Sequence, residues 1–284
     1  MEFHLDNPFQ FSGECSEQII IASLFSAEDL HVAAVSVPHA LTLRRDTVSL
    51  IRQLTETPGG VDHYVAYLAV NYLDRFISKH EILSFLPWSP AFLSATCLSI
   101  AAKMLDFRFS VAKFQEMRPI DFDPANVDRM EFVLVEALDW RLRSITAFAF
   151  LGYFIRFIQS YPIEFLRDIR DRASRKLIRA QYEMEPVGFK ASVMAAAALL
   201  SATVEVSPAT FAVFESALRS CKFLNREKMR ACFEMMKCVK LEGSDLASPS
   251  SAMGVQRSYT PVVVQEFRGE NKETVGCSSD GNDS

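Results

Sequence analysis

The stretches SATCLSIAAK (Ser94–Lys103) and KASVMAAAALLSA (Lys190–Ala202) decide the fold of this chain. Apart from the lysines at their ends they carry no charge, and both are made of small and apolar residues. A helix that is apolar all round is buried, and small side chains let neighbouring helices approach it closely. We therefore expect each stretch to form the central helix of its own group of helices.

Helix-length segments flank both stretches, and the alternation of period two that is typical of strands is not sustained anywhere, so the chain is predicted to be all-α. Ser89, Asp123 and Ser207 each precede a proline and are predicted to cap a helix. The segments form two groups of five, which indicates an internal duplication. The first group comprises 41–56, 61–78, 89–105, 111–117 and 124–140, and the second comprises 146–158, 163–183, 187–204, 208–219 and 225–241.

Composition excludes several classes of protein. A net charge of -5 over 284 residues is unfavourable for holding phosphate backbones, so we expect no direct binding of nucleic acid. The N-terminus MEFHLDNP is acidic where a secretory signal is basic, and the apolar run 191–204 is shorter than the roughly 20 residues that cross a bilayer. We therefore expect an intracellular protein with no membrane partner. The six cysteines form no C-x-x-C pair, and neither a metal site nor a cofactor is expected.

The composition changes after Leu241 to a segment rich in Ser, Gly and acids without helical periodicity. Such a segment cannot bury enough apolar surface to offset its ordering entropy, so we predict that 242–284 is a disordered tail. Ser248 and Thr260 each precede a proline and are candidate phosphorylation sites for proline-directed kinases.

Three motifs resemble the cyclin box, most closely that of plant D-type cyclins: YLAVNYLDRFIS (Tyr67–Ser78), SATCLSIAAKM (Ser94–Met104) and DRMEFVLVEALDWRL (Asp128–Leu142). They occur in the family's order and at its spacing. The resemblance implies an all-α fold of tandem five-helix cyclin-box repeats. The expected boundaries are an N-terminal extension with a helix (1–40), an N-terminal cyclin box (41–143), a C-terminal cyclin-like box (144–241) and the tail.

The resemblance also implies a function. Cyclins bind and activate cyclin-dependent protein kinases, so we expect a regulatory, non-catalytic protein that promotes cell-cycle entry at G1/S. The expected location is the nucleus, with the cytoplasm as a second compartment. In the family, a Lys and a Glu at the positions of Lys103 and Glu131 reach the kinase. The family commonly has two Glu after that Lys, whereas this chain has Leu105 and Asp106, which we expect at the kinase edge.

Arg44 and Asp74 resemble the Arg and Asp that form an internal ion pair in cyclins. In the family this pair ties the first helix of the cyclin box to the second. The expected role of both residues is therefore structural.

The stretch SGECSEQIII (Ser12–Ile21) admits two interpretations. Ser16 is a possible cap for a helix that begins there. D-type cyclins also carry an extended Leu-x-Cys-x-Glu peptide near the N-terminus that docks on retinoblastoma proteins, and this chain keeps Cys15 and Glu17 but has Gly13 at the Leu position. We interpret the stretch as a degenerate docking motif and expect retinoblastoma binding to be weak or indirect.

The sequence offers two other candidate functions. The acids Asp121, Asp123 and Asp128 fail as a calcium loop because Asn126 stands where Gly is required and Phe132 where the last Glu belongs. No catalytic site is predicted.

The alternative function is a cyclin-fold transcription-factor scaffold that binds DNA or the transcription machinery. Its candidate basic face, 167–179, is interspersed with acids, which is typical of a solvated helix.

Overall fold

The computed structural model describes residues 14–79, 90–116 and 122–241. Within these ranges the fold is all-α, as predicted, and the only β feature is an isolated antiparallel bridge between Ala34 and Val187. The helices are α1 (Glu14–Ala27), α2 (Pro38–Thr55), α3 (His63–Lys79), α4 (Pro90–Met104), α5 (Val111–Glu116), α6 (Pro124–Ala137), α7 (Phe148–Ile155), α8 (Ile163–Glu183), α9 (Ala191–Val206), α10 (Pro208–Arg219) and α11 (Arg226–Cys238). Short 3-10 helices occupy Glu28–His31 and Arg156–Ile158.

Helix α4 is the centre of the first unit, which comprises α2 to α6. Every residue from Leu93 to Ala102 is buried, and α4 packs against α2, α3, α5 and α6. Two of its hydroxyls are satisfied inside the helix, since Ser94 donates to the Pro90 carbonyl over 2.7 Å and Thr96 to the Phe92 carbonyl over 2.9 Å. The prediction of a central helix is therefore confirmed, and its small side chains explain the close packing.

Helix α9 is the centre of the second unit, which comprises α7 to α11. It packs against all four of the other helices, and every residue from Ser192 to Thr203 except Met194 is buried. Lys176 in α8 is fully buried beside it and donates to the Val239 carbonyl over 2.8 Å. Its ammonium also pairs with Glu205 over 2.6 Å, so the buried charge is compensated.

The N-terminal segment packs on the second unit. Phe25 in α1 stacks on Phe223 with ring centroids 4.8 Å apart. Residues 28–35, which we call the strap, then run along 186–192: the Val35 amide donates to the Pro186 carbonyl over 2.9 Å. The buried Glu28 carboxylate accepts the Ser192 amide and hydroxyl, each over 2.9 Å, and so caps α9. Burial raises the pKa of Glu28, and these hydrogen bonds oppose that effect.

The four predicted capping residues differ in what they do at the helix starts. Asp123 caps α6 as predicted, with its carboxylate accepting the Ala125 amide over 3.0 Å. Ser207 precedes α10 but its side chain makes no capping hydrogen bond, so that prediction is wrong. Ser16 is not a cap either, because α1 already begins at Glu14. Ser89 lies outside the described residues.

Helix α9 begins at Ala191, four residues later than predicted. The strap explains the difference, because Val187 pairs with Ala34 and the Gly188 amide donates to the Ala33 carbonyl over 3.1 Å. Gly188 also has a φ of 78°, a left-handed conformation that cannot continue a helix and that glycine adopts without strain.

No helix of the described residues is both long and apolar enough to span a bilayer. The predicted tail, with Ser248 and Thr260, lies outside those residues, as do Gly13 and Asp121.

Candidate functional site

Lys103 and Glu131 meet on the surface of the first unit. The buried helix α4 brings Lys103 to the surface in its last turn, and α6 places Glu131 opposite, with the ammonium 2.5 Å from Oε2 of the carboxylate. The side chain of Lys103 is 62% exposed, whereas that of Glu131 is only 14% exposed. The pair therefore has one solvated partner and one held close against the protein.

The pair retains unused hydrogen-bonding capacity. Oε1 of Glu131 is buried and has no hydrogen-bond partner. A carboxylate oxygen accepts only, and a lysine ammonium has three donors, of which Glu131 occupies one. An unpaired buried acceptor is costly, so a partner that supplies an N–H to this oxygen gains stability by doing so.

Exposed apolar side chains follow Glu131 in α6. Phe132 is 71% exposed and, one residue further along, Val133 is 51% exposed. The other side of α6 is anchored in the core by Val127, Met130 and Leu134, so the helix is a rigid support for this face. Exposed apolar groups beside charged groups are typical of a surface that binds another protein.

Trp140 is a further exposed apolar group, and sequence reasoning missed it. It lies 71% exposed in the turn after α6, where Asp139 and Trp140 have φ values of 53° and 59°. The Trp140 amide donates to the Val135 carbonyl over 3.0 Å, and Lys79 pairs with Asp139 over 2.6 Å. The hydrogen bond from Lys79 lowers the pKa of Asp139. The turn therefore holds the tryptophan outward on a fixed backbone.

Leu105 and Asp106 end α4 in different environments. Leu105 is 5% exposed and packs into the core of the first unit, so the expectation of an apolar group at the kinase edge is wrong for this residue. The reason is the helix end: the Phe107 amide donates back to the Ala102 carbonyl over 2.9 Å, and Asp106 takes a left-handed conformation with a φ of 50°. This reversal turns Leu105 inward and leaves Asp106 exposed.

Arg44 and Asp74 form a buried ion pair between α2 and α3. Nε of Arg44 donates to Oδ1 of Asp74 over 2.6 Å and Nη2 donates to Oδ2 over 3.1 Å, a bidentate arrangement. Burial raises the pKa of Asp74, and the charge of Arg44 opposes that effect. These residues lie away from solvent, which suits a structural role.

The proposed docking motif lies partly in α1. The backbone is helical at Cys15 and Glu17, whereas a peptide that docks as an extended segment must be unwound. Gly13 lies outside the described residues. No group of three or more metal-ligating side chains is found in the described part of the chain.

Comparison with known proteins identifies the family. The cyclin N-terminal domain matches residues 24–143. Cyclin-D6-1 of Oryza sativa subsp. japonica is 38% identical over 294 aligned residues, covering 99% of this chain and 88% of the relative. Putative cyclin-D6-1 of Arabidopsis thaliana is 31% identical and covers 84% of this chain and 83% of the relative. The viral cyclin of herpesvirus saimiri shares the fold, with a TM-score of 0.53 at 16% identity over 78% of this chain and 93% of that one. The matches to these two relatives, which cover most of both chains, show that the chain belongs to the cyclin family, as a divergent plant D-type cyclin.

Proposed function

We propose that this cyclin binds and activates a cyclin-dependent protein kinase through the face formed by Lys103, Glu131, Phe132 and Trp140, and that the complex promotes entry from G1 into S phase. Cyclins are non-catalytic, so the kinase supplies the phosphoryl-transfer machinery. The observation that carries the proposal is the Lys103–Glu131 pair, which has free donors on one side and a buried acceptor without a partner on the other.

The chemistry of the pair fits exposed backbone groups of a partner. Lys103 is free to donate to carbonyl oxygens at the end of a loop, and the Glu131 carboxylate, whose side chain is 14% exposed, accepts an N–H once it rotates to bring Oε1 to the surface. Charge-assisted hydrogen bonds of this kind are stronger than neutral ones and set the orientation of the partner. Such contacts fit a kinase whose activating helix must be held in one position.

The apolar groups supply the rest of the proposed interface. Tryptophan is enriched among the residues that dominate binding energy, and Trp140 is held outward by its turn. Phe132 adds a second aromatic group beside the pair. A rigid surface of this kind activates a kinase by binding its active arrangement more tightly than its inactive one, including the Lys–Glu ion pair on which phosphoryl transfer depends.

The test exploits the contact between the two charged residues. Each single variant, Lys103→Glu or Glu131→Lys, breaks the pair and should lose co-purification with the kinase. The double variant exchanges the charges and keeps an ion pair, so its unfolding midpoint should match the unchanged chain while kinase binding and activation stay lost. Activation is measured as phosphorylation of a retinoblastoma-type substrate.

The second unit offers a matched control. Glu234 and Lys237 form an exposed pair over 2.7 Å in α11, and exchanging their charges should leave kinase activation unchanged. If the Lys103/Glu131 exchange still activates the kinase normally, the assigned face is wrong. DNA binding that is sensitive to salt, with no kinase recovered, would instead support the transcription-scaffold alternative.

The proposal extends to the retinoblastoma-type partner and to the location of the protein in the cell. Retinoblastoma-type proteins are proposed to be bound weakly or indirectly, because Gly13 removes the apolar anchor of the docking motif. The protein is proposed to act in the nucleus and also to occur in the cytoplasm. Imaging of a fluorescent fusion in dividing plant cells tests the location.

A further inference from the structure

The strap has one edge that pairs with the second unit and one that does not. The Val35 amide donates to the Pro186 carbonyl over 2.9 Å, and the Ala33 carbonyl accepts the Gly188 amide over 3.1 Å. In an antiparallel pair the backbone groups of successive residues point alternately towards the partner and away from it. The N–H and C=O groups of Ala34, which lies between Ala33 and Val35, therefore point to the opposite edge. We call this edge the open edge.

The open edge is accessible from outside the protein. Ala34 in the strap and Ser36 just after it are exposed, and neither forms a backbone hydrogen bond with another residue of the described part of the chain. The backbone is extended at Val32 and again at Val37. An extended segment with one unpaired edge is a template for a further strand.

Exposed apolar side chains surround the strap. Leu30 lies within it, Val37 follows it, and Val187 pairs with Ala34; all three of these large side chains are exposed. When an extended peptide adds a strand to an open edge, backbone hydrogen bonds supply affinity and the neighbouring surface selects the side chains. The surroundings of the strap therefore fit an extended segment of apolar, β-branched residues.

The chain carries such a segment after Leu241. Residues 262–267 have the sequence VVVQEF, and no other run of three β-branched residues occurs between Leu241 and the last residue. Valine and phenylalanine favour strands, whereas the glycines and acids of the surrounding tail disfavour them. Pro261 directly precedes the valines, and a strand tolerates proline at its start. A segment predicted to be disordered can order when it binds a surface.

The connection between α11 and this segment has a suitable length. The Lys176 ammonium binds the Val239 carbonyl, and α8 continues from Lys176 to Glu183, shortly before Pro186 at the strap. At about 1.5 Å per helical residue and about 3.3 Å per extended residue, the strap lies roughly 20 Å from Val239. Residues 242–261 span about 22–27 Å as a flexible chain. A match between span and distance gives the highest effective concentration.

We propose that residues 262–267 add a strand to the open edge of the strap, with hydrogen bonds to the backbone of Ala34 and Ser36, and that the contact forms within one chain. The valines then contact the apolar side chains around the strap. The contact covers an edge that is otherwise available for pairing with another chain. It is independent of the proposed kinase face, which belongs to α4, α6 and the turn after α6.

Hydrogen exchange of the full chain, measured by mass spectrometry at the amides of Ala34 and Ser36, tests the contact. Val263→Pro and Val264→Pro are both made, because one of these two successive N–H groups faces the strap in an extended segment. A segment docked for about nine-tenths of the time slows exchange about tenfold. At least one variant should therefore exchange about tenfold faster than the unchanged chain at these amides. Acceleration below about twofold in both variants would overturn the proposal.

Val255→Pro is the matched control, since it makes the same substitution in the same tail but outside the segment. Exchange at the strap should stay as in the unchanged chain, and an acceleration equal to that of the other variants would refute the role of residues 262–267. The measurement is repeated after dilution by about a hundredfold, because a contact within one chain does not depend on concentration. Protection that disappears on dilution would show that a second copy supplies the strand, which contradicts the proposed occupant.

Discussion

Arg44 joins Asp74 and the second unit with a single guanidinium group. Besides the two hydrogen bonds to the Asp74 carboxylate, Nη2 of Arg44 donates to the Gln181 backbone carbonyl in α8 over 2.9 Å. The ion pair that ties α2 to α3 is therefore also a contact between the two units. Its loss should affect the docking of the units as well as the first unit itself.

Removing one partner of this pair should be strongly destabilising. Asp74→Ala leaves the Arg44 charge buried without compensation, and we expect a loss of about 3–5 kcal/mol in the free energy of unfolding. Replacing both residues by leucine should cost clearly less, because no charge is left buried. Urea denaturation followed by circular dichroism measures both changes.

An exposed pair at the C-terminal end of α2 provides the control. Arg52 and Glu56 form an ion pair over 3.0 Å near the surface, and Glu56→Ala should cost less than about 1 kcal/mol. Equal losses for Asp74→Ala and Glu56→Ala would show that burial of the Arg44–Asp74 pair has no energetic weight.

Stability should fall as the pH drops from about 6.5 to about 4, in part because of His31. The unfolded chain binds a proton at His31 near pH 6.5, whereas burial and the charges of Arg75, Arg141 and Lys79 keep the folded residue neutral down to about pH 4. Unfolding then takes up a proton, and this difference amounts to roughly 3 kcal/mol once the pH is below both values. His31→Gln should flatten the dependence of the unfolding free energy on pH over this interval.

The comparison is the unchanged chain, unfolded over the same pH interval. A His31→Gln variant with the original slope would mean that other groups account for the acid sensitivity.

Trp140→Ala should weaken kinase binding without unfolding the protein. The side chain is 71% exposed, so little apolar surface leaves the core, but truncation of an interface tryptophan typically costs tenfold to about a hundredfold in affinity. Titration calorimetry with the purified kinase measures the loss, and the unfolding midpoint is recorded alongside. An affinity within twofold of the unchanged chain would place Trp140 outside the interface.

Gly13→Leu should increase binding to a retinoblastoma-type protein. A buried leucine contributes roughly 1.5–3 kcal/mol, and losing the glycine removes chain entropy that an extended bound segment must give up. The gain is limited because the backbone from Glu14 onward must leave α1. Pull-down with purified proteins measures it, with Cys15→Ala in the same background as control. No gain would argue against even a vestigial docking motif.

The central helices could be predicted because their residues are compatible with only one location, the middle of a group of helices. Neither α4 nor α9 has a polar face, so each must be surrounded, and small side chains make that possible. The cap at Asp123 was predictable for a similarly local reason, since the carboxylate meets an amide two residues away. Lys103 and Glu131 could be singled out only through the resemblance to cyclins.

What could not be predicted depends on contacts between distant segments. From the sequence, Leu105 is expected at the surface, but the backbone reverses at Asp106 and the residue is buried. Helix α9 is expected to begin four residues earlier, but the strap pairs with Val187 instead. Nothing in the local sequence distinguishes the exposed Trp140 from a buried one.

The strap also constrains how the chain folds while it is being synthesised. Glu28 caps a helix whose partner residue, Ser192, is 164 positions further along the chain. At about 5–20 residues added per second, the surface that binds the strap is synthesised roughly 8–30 s after the strap itself. All helices of the first unit have been synthesised well before then. Helix α1 and the strap are thus synthesised before the surface that holds them, and during that interval the apolar face of α1 is open to chaperones.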